Sequence, residues 1–352
     1  MRTRILFAVI ALTSASCLSL DQTPPDGPYS YLSGPGIFVM NEGNFKAGNG
    51  SLSFFSYDSM KVFNDVFYTA NQRPLGDVPY SMAIIRGNAY IVVNNSGKIE
   101  IVRLPELRSV ATITGLNAPR YIALATYNKA YVTSLYSDSI TIIDLRSYSI
   151  SGYINMKHPS EAIVTYYDKA FVSHWAGGNK IFVIDMTTDQ VTDSIEVGQE
   201  PESMVIDGNN HLWVLCNGGW QRQYFAALVE INAWDNSIVK SMQFPLITDS
   251  PTCLQTDRMG HALYYLQNGV RRMDTEAASL PSTVYIRDSD RNFYRLYVNP
   301  ETNEIYVSDA VDYQQKGYLL RYSPTGALSS IMQAGILPGN MYFKSTDDDI
   351  AQ

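Results

Sequence analysis

An aromatic residue returns at a nearly constant interval along this chain. Phe38, Tyr90, Tyr131, Phe171, Trp213, Tyr264 and Tyr306 follow one another at steps of 52, 41, 40, 42, 51 and 42 residues. Each sits between apolar neighbours in a short run of β-type composition, as in "GIFVM", "NAYIVV" and "HLWVLC". Self-similarity at such a period is the signature of a repeat architecture, and it restricts the fold more than any local propensity does. A single aromatic at the same place in every repeat is a packing feature. Each ring can bury roughly 150–250 Å² between adjacent units.

Aligning the chain on recurring prolines displays the unit. "PYSMAIIRGNAYIVVNNSGKIEIVRLPELRSVATITGLNA" (79–118) is followed by "PRYIALATYNKAYVTSLYSDSITIIDLRSYSISGYINMKH" (119–158), and three further units open at Pro159, Pro201 and Pro251. Each holds four short strand runs; in the first of these they are "SMAII", "AYIVV", "KIEIV" and "SVATI". The first two runs are joined by tight-turn residues such as Gly87-Asn88, Asn128-Lys129, Asp168-Lys169 and Gly260-His261. Gly, Asn and Asp tolerate the positive φ of such turns. A four-stranded meander every ~40–45 residues is a propeller blade. Seven aromatic positions therefore predict an all-β, seven-bladed β-propeller with four antiparallel strands per blade. "PGNMYF" (338–343) matches the start of a unit but only a polar tail follows it, while the first unit, "GIFVMNEG", lacks that start. The C-terminal run is expected to become the innermost strand of blade one and to close the ring.

Composition agrees. The chain has 352 residues, 45% hydrophobic and 17% charged, with 25 Tyr and 13 Phe, which favours sheet. Its net charge is −8 and no Lys/Arg cluster occurs, so no nucleic-acid partner is expected. Arg2 and Arg4 precede the apolar stretch "ILFAVIAL" (Ile5–Leu12), which is long enough for a signal peptide and too short to span a bilayer. "TSASC" then places Cys17 after small residues, similar to a bacterial lipobox, although Ser14 stands where that pattern prefers Leu. The expected division is signal peptide 1–16, lipidated tether 17–35, propeller 36–344 and polar tail 345–352. Ordinary cleavage after Ala15 or Ser16 is the alternative. Cys216 and Cys253 lie in apolar runs without metal-ligand spacing and read as buried thiols, with a disulfide between them as the alternative.

The loops joining the second and third strands should emerge on one face, beside the links between blades. Several exceed what a meander needs: "NEGNFKAGNG" (41–50), "HWAGGNK" (174–180), "NGGWQRQYFAA" (217–227) and "SDAVDYQQKGY" (308–318). They carry aromatic rings and primary amides, which suit a bulky neutral ligand with flat surfaces and many hydrogen-bonding groups. In blade one the candidate contacts are Asn41, Glu42, Asn44 and Phe45. Blades two and three offer Asn94, Asn95, Arg120 and Tyr136. Blades four and five offer His174, Trp175, Trp220 and Tyr224. Asn268 in blade six and Asp312, Tyr313 and Gln314 in blade seven complete the set. Catalysis is not expected. Of four histidines only His158 and His174 can reach this rim, and no HExxH, GxSxG or P-loop occurs. Rim acids such as Asp77, Asp138, Glu161, Glu202 and Asp309 leave a metal-dependent hydrolase as an alternative.

The repeat resembles YncE-like, surface-layer-type seven-bladed propellers. More narrowly, "NEGNF" (41–45), "LGDV" (75–78), "IVVNNS" (91–96), "PRYI" (119–122), "DAVDYQQKG" (309–317), "RYSPTG" (321–326) and "GILPG" (335–339) are similar to the surface cobalamin-binding lipoproteins of gut Bacteroidetes, the BtuG type. That resemblance implies a lipid-anchored protein on the cell-surface side of the outer membrane. It would capture cobalamin (vitamin B12) and pass it to a BtuB-type TonB-dependent transporter, with cobalamin as ligand and no cofactor required. A surface glycan-binding propeller using Trp175 and Trp220 as platforms, or a protein-interaction propeller, is the competing expectation.

Overall fold

A computed structural model describes residues 30–349; the expected signal peptide, Cys17 and most of the expected tether lie outside the described residues. Seven antiparallel sheets follow one another along the chain. Their first strands touch in a closed cycle, each against the first strand of the next blade, so the sheets form a ring. Blade two is representative, with Pro79–Ile85, Asn88–Val93, Lys98–Arg103 and Arg108–Thr114 in sequential order from the centre outward.

The aromatic column does what its spacing predicts. All seven residues lie in the second strand of their blade and are at most 4% exposed. Each anchors a separate hydrophobic cluster between neighbouring blades. Phe38 packs with Met82 and Ile91 of blade two, and Tyr131 with Ala170 and Val172 of blade four. Trp213 meets Leu254 and Tyr265 of blade six, and Tyr306 meets Ile37 and Phe55 of blade one. The core is thus seven slabs between sheets, not one central mass.

Closure also follows the sequence. Pro338–Lys344 pairs antiparallel with Gly36–Asn41 and becomes the innermost strand of blade one. Gly36 and Lys344 are opposite one another at the far end of that pair, on the side away from Asn41 and the loop that follows it. There the fully buried Lys344 ammonium donates to the Gly34 carbonyl at 2.8 Å and pairs with Asp349 at 2.7 Å. Tyr31 stacks on Phe63 with ring centres 4.0 Å apart, and Leu32 is fully buried.

Two places depart from a regular meander. Blade six has three strands, Thr252–Thr256, Ala262–Leu266 and Val270–Asp274. Its outer position is taken by an irregular segment that pairs with the sheet through an isolated Val270–Ile286 bridge. The run "ASLPST" in that segment has no alternating pattern, and Pro281 brings no backbone donor. Between blades one and two, a short helix, Val66–Asn71, buries Val66, Phe67 and Ala70. It accounts for the 52-residue first step of the repeat.

Candidate ligand-binding rim

The loops between second and third strands share one face with the blade links because the antiparallel meander turns there, and hydrogen bonds tie the two together. Asn94 donates to the Pro119 carbonyl at 3.0 Å, and the Asn217 amide donates to the Glu200 carbonyl at 3.1 Å. Below this face the inner strands of all seven blades line a central cavity of about 330 Å³, with Tyr121, Met204, Leu254, Tyr297 and Met341 among its walls.

At the mouth of that cavity stands a compact charged group. Arg120 donates through two nitrogens to the two oxygens of Glu161, each at 2.6 Å. The Tyr80 hydroxyl donates to the same carboxylate at 2.9 Å, and the Arg120 guanidinium lies 3.5 Å from the Tyr80 ring centre. Burial alone would lower the pKa of Arg120, but the neighbouring Glu161 outweighs it and holds the guanidinium charged. Burial pushes the Tyr80 phenol well above its ordinary range. Arg120, expected as a ligand contact, is held in this ion pair with Glu161.

Other expected contacts are likewise committed. Asn41 is fully buried; its amide donates to Ser53 at 2.7 Å and accepts from the Gly335 amide at 3.0 Å. It fastens blade one to the closing segment and has no exposed face. Glu42 is 8% exposed and accepts the Tyr294 hydroxyl at 3.0 Å. Asp312 accepts the amides of Gln314 and Gln315 at 3.0 and 2.9 Å, so its carboxylate shapes the turn. Asn94 is spent on the blade link, and Asn95 donates to Asp77.

The remaining residues stay on offer at the surface. Trp220 is 78% exposed, Tyr136 72%, Phe45 67%, Tyr224 55% and Tyr313 49%. The loops of blades one and seven meet, with Asn44 donating to the Gln314 carbonyl at 3.4 Å. The Tyr313 hydroxyl donates to Asn292 at 3.2 Å, and its ring stands edge-on to Tyr294 at 5.9 Å. Around Trp220 a second surface cavity, about 300 Å³, is lined by Gln199, Glu200, Gln221, Gln223 and Tyr224. Asn268 is exposed between blades five and seven. His174 stacks on His158 with ring centres 4.4 Å apart; partial burial, then His158 and Lys180, lower its pKa. Trp175 is half-buried with its indole nitrogen enclosed.

Sequence reasoning passed over Tyr294, Asn292 and Arg222. Arg222 lies in the long loop 217–227. Tyr294 begins an inner strand at the channel mouth, a position shared with Tyr80 and Arg120, and that equivalence was the available signal.

Cys216 and Cys253 are both free and buried. Burial pushes the Cys216 thiol up to about 12 and raises that of Cys253 as well. In a chain starting after Cys17, neither should react with Ellman's reagent at pH 8 until the protein is unfolded in guanidinium, when both should titrate. Rapid reaction of either in the native state would show that its blade interface opens.

Fold and rim together define a seven-bladed β-propeller whose elaboration is concentrated on one face. The chain belongs to the family described as Domain of unknown function (DUF5074), which matches residues 35–327. Among solved structures it is similar to a quinonprotein alcohol dehydrogenase-like protein from Bacteroides thetaiotaomicron, at TM-score 0.69 and 16% identity, covering 89% of this chain and 78% of that one. It is also similar to the periplasmic gluconolactonase of Pseudomonas aeruginosa, at TM-score 0.67 and 10% identity, covering 89% and 99%. A third likeness is to hydrazine synthase of Kuenenia stuttgartiensis, at TM-score 0.60 and 13% identity, covering 77% and 93%. At these identities the likeness speaks to the fold alone. No curated protein matches the chain.

Proposed function

We propose that this propeller is a cell-surface cobalamin-binding protein that holds a corrinoid on its elaborated rim and hands it to a TonB-dependent outer-membrane transporter. The observation that carries this reading is the exposure of aromatic rings from separate blades on one face, accompanied by amide side chains. Exposed tryptophan and tyrosine grouped on loops are recognition elements. A corrin presents broad faces fringed with amides, and rings plus Asn and Gln complement both features. Lipid anchoring through Cys17 belongs to the same proposal. It finds support in the resemblance of the loop motifs.

Several acids of the rim are held by neighbouring groups. Glu42, Glu161, Asp309 and Asp312 are each engaged by a tyrosine, an arginine or backbone amides. Half-burial of Trp175 argues against a two-tryptophan sugar platform.

Trp220→Ala and Tyr313→Ala should each weaken cyanocobalamin binding by about 1–3 kcal/mol. Both side chains are exposed, so the melting temperature should hold. Calorimetric titration of each variant checks this, and wild-type affinity in both would move the site off this rim.

A further inference from the structure

A polar cavity of about 260 Å³ lies between the two aromatic loops. Arg222 forms part of one side and belongs to the loop that carries Trp220 and Tyr224. Asn292 forms part of the other side and accepts the Tyr313 hydroxyl at 3.2 Å. A ligand reaching from Trp220 to Tyr313 therefore passes over this cavity. Thr248, Ser250, Asn268 and Asp288 supply hydroxyl, amide and carboxylate groups to its lining. Arg291, also in the lining, is neutralised by Asp309 at 3.0 Å. Arg222 is not: it donates to the Thr248 carbonyl, and among the described residues no carboxylate pairs with it. A purely planar apolar ligand makes no use of such a lining. An unpaired guanidinium suits a phosphate, and mixed hydroxyl, amide and carboxylate groups suit the hydroxyls of a sugar.

We propose that this cavity receives a sugar-phosphate arm of the ligand while the flanking aromatic loops hold its planar body. The inference rests on the corrinoid reading above, in which the arm is the nucleotide loop of cobalamin. Its test is calorimetric titration of the protein with cyanocobalamin and with dicyanocobinamide, which lacks that arm. Wild type should prefer cyanocobalamin by about tenfold or more. Arg222→Gln should cut the preference to about threefold or less by weakening cyanocobalamin alone. Trp220→Ala should weaken both corrinoids. Equal affinity of wild type for the two, or an equal loss of both in Arg222→Gln, overturns the cavity assignment and leaves corrinoid binding standing. Failure of both corrinoids to bind wild type overturns the reading on which the assignment rests. An unchanged melting temperature for the variant excludes misfolding, since Arg222 is exposed.

Discussion

A chain ending at Leu337 is expected not to fold. Removing residues 338–352 takes the innermost strand from blade one and leaves Gly36–Asn41 with an unpaired edge facing the channel. It also removes Met341 from the cluster of Ile37, Val39, Phe55, Tyr306 and Leu319, and it takes Lys344 from Gly34. Domains of ordinary stability hold only about 5–15 kcal/mol in total. Losing a central strand together with a blade interface exceeds that reserve. Far-UV circular dichroism through a urea gradient should show no cooperative transition. The complementary variant moves Pro338–Lys344 to the start of the chain and joins Lys344 to Gly36 by an Asn-Gly turn. Those two residues are register partners, so the join recreates the tight turn found in the other blades. This permutant should fold cooperatively, though it melts lower because it gives up Leu32 and Asp349. A cooperative truncated chain, or an unfolded permutant, would show that closure is not what this strand provides.

Glu161→Ala is the single substitution with the largest expected cost. Arg120 would keep its charge at the channel mouth with side-chain exposure of only 12%, and the Tyr80 hydroxyl would lose its acceptor. Leaving one member of a buried pair unmatched costs about 3–5 kcal/mol. Replacing both members, as in Arg120→Met with Glu161→Leu, should restore most of the loss, because no charge then remains to be desolvated. Urea midpoints of the two single variants and the double variant close this cycle. A loss under about 1 kcal/mol for Glu161→Ala would mean that water reaches the pair and screens it.

Blade number and ring closure were legible because one buried aromatic recurs per blade and the terminal half-unit is visible in "PGNMYF". The missing outer strand of blade six was less so. An edge strand has one neighbour, and whether "ASLPST" pairs or wanders depends on tertiary contacts that composition does not report. In the rim, sequence distinguished loop from strand but not free side chains from committed ones. Asn41 and Asn44 look alike in "NEGNF". One is buried among Ser51, Ser53 and Gly335, and the other reaches Gln314 at the surface. Arg120 looks unpaired in sequence because its partner Glu161 is 41 residues away, one full blade along the chain. Aromatic rings were easier to place. Trp220 and Tyr313 lie in loops too long for a meander, and no apolar neighbours surround them there.

Corrinoid binding at the elaborated rim can be measured on the isolated protein. Isothermal titration of the purified propeller with cyanocobalamin tests it directly. A single saturable site per chain is expected, with heat that is reduced in Trp220→Ala and in Tyr313→Ala at unchanged melting temperature. Absence of binding at micromolar cyanocobalamin, with the wild-type protein folded, would contradict it.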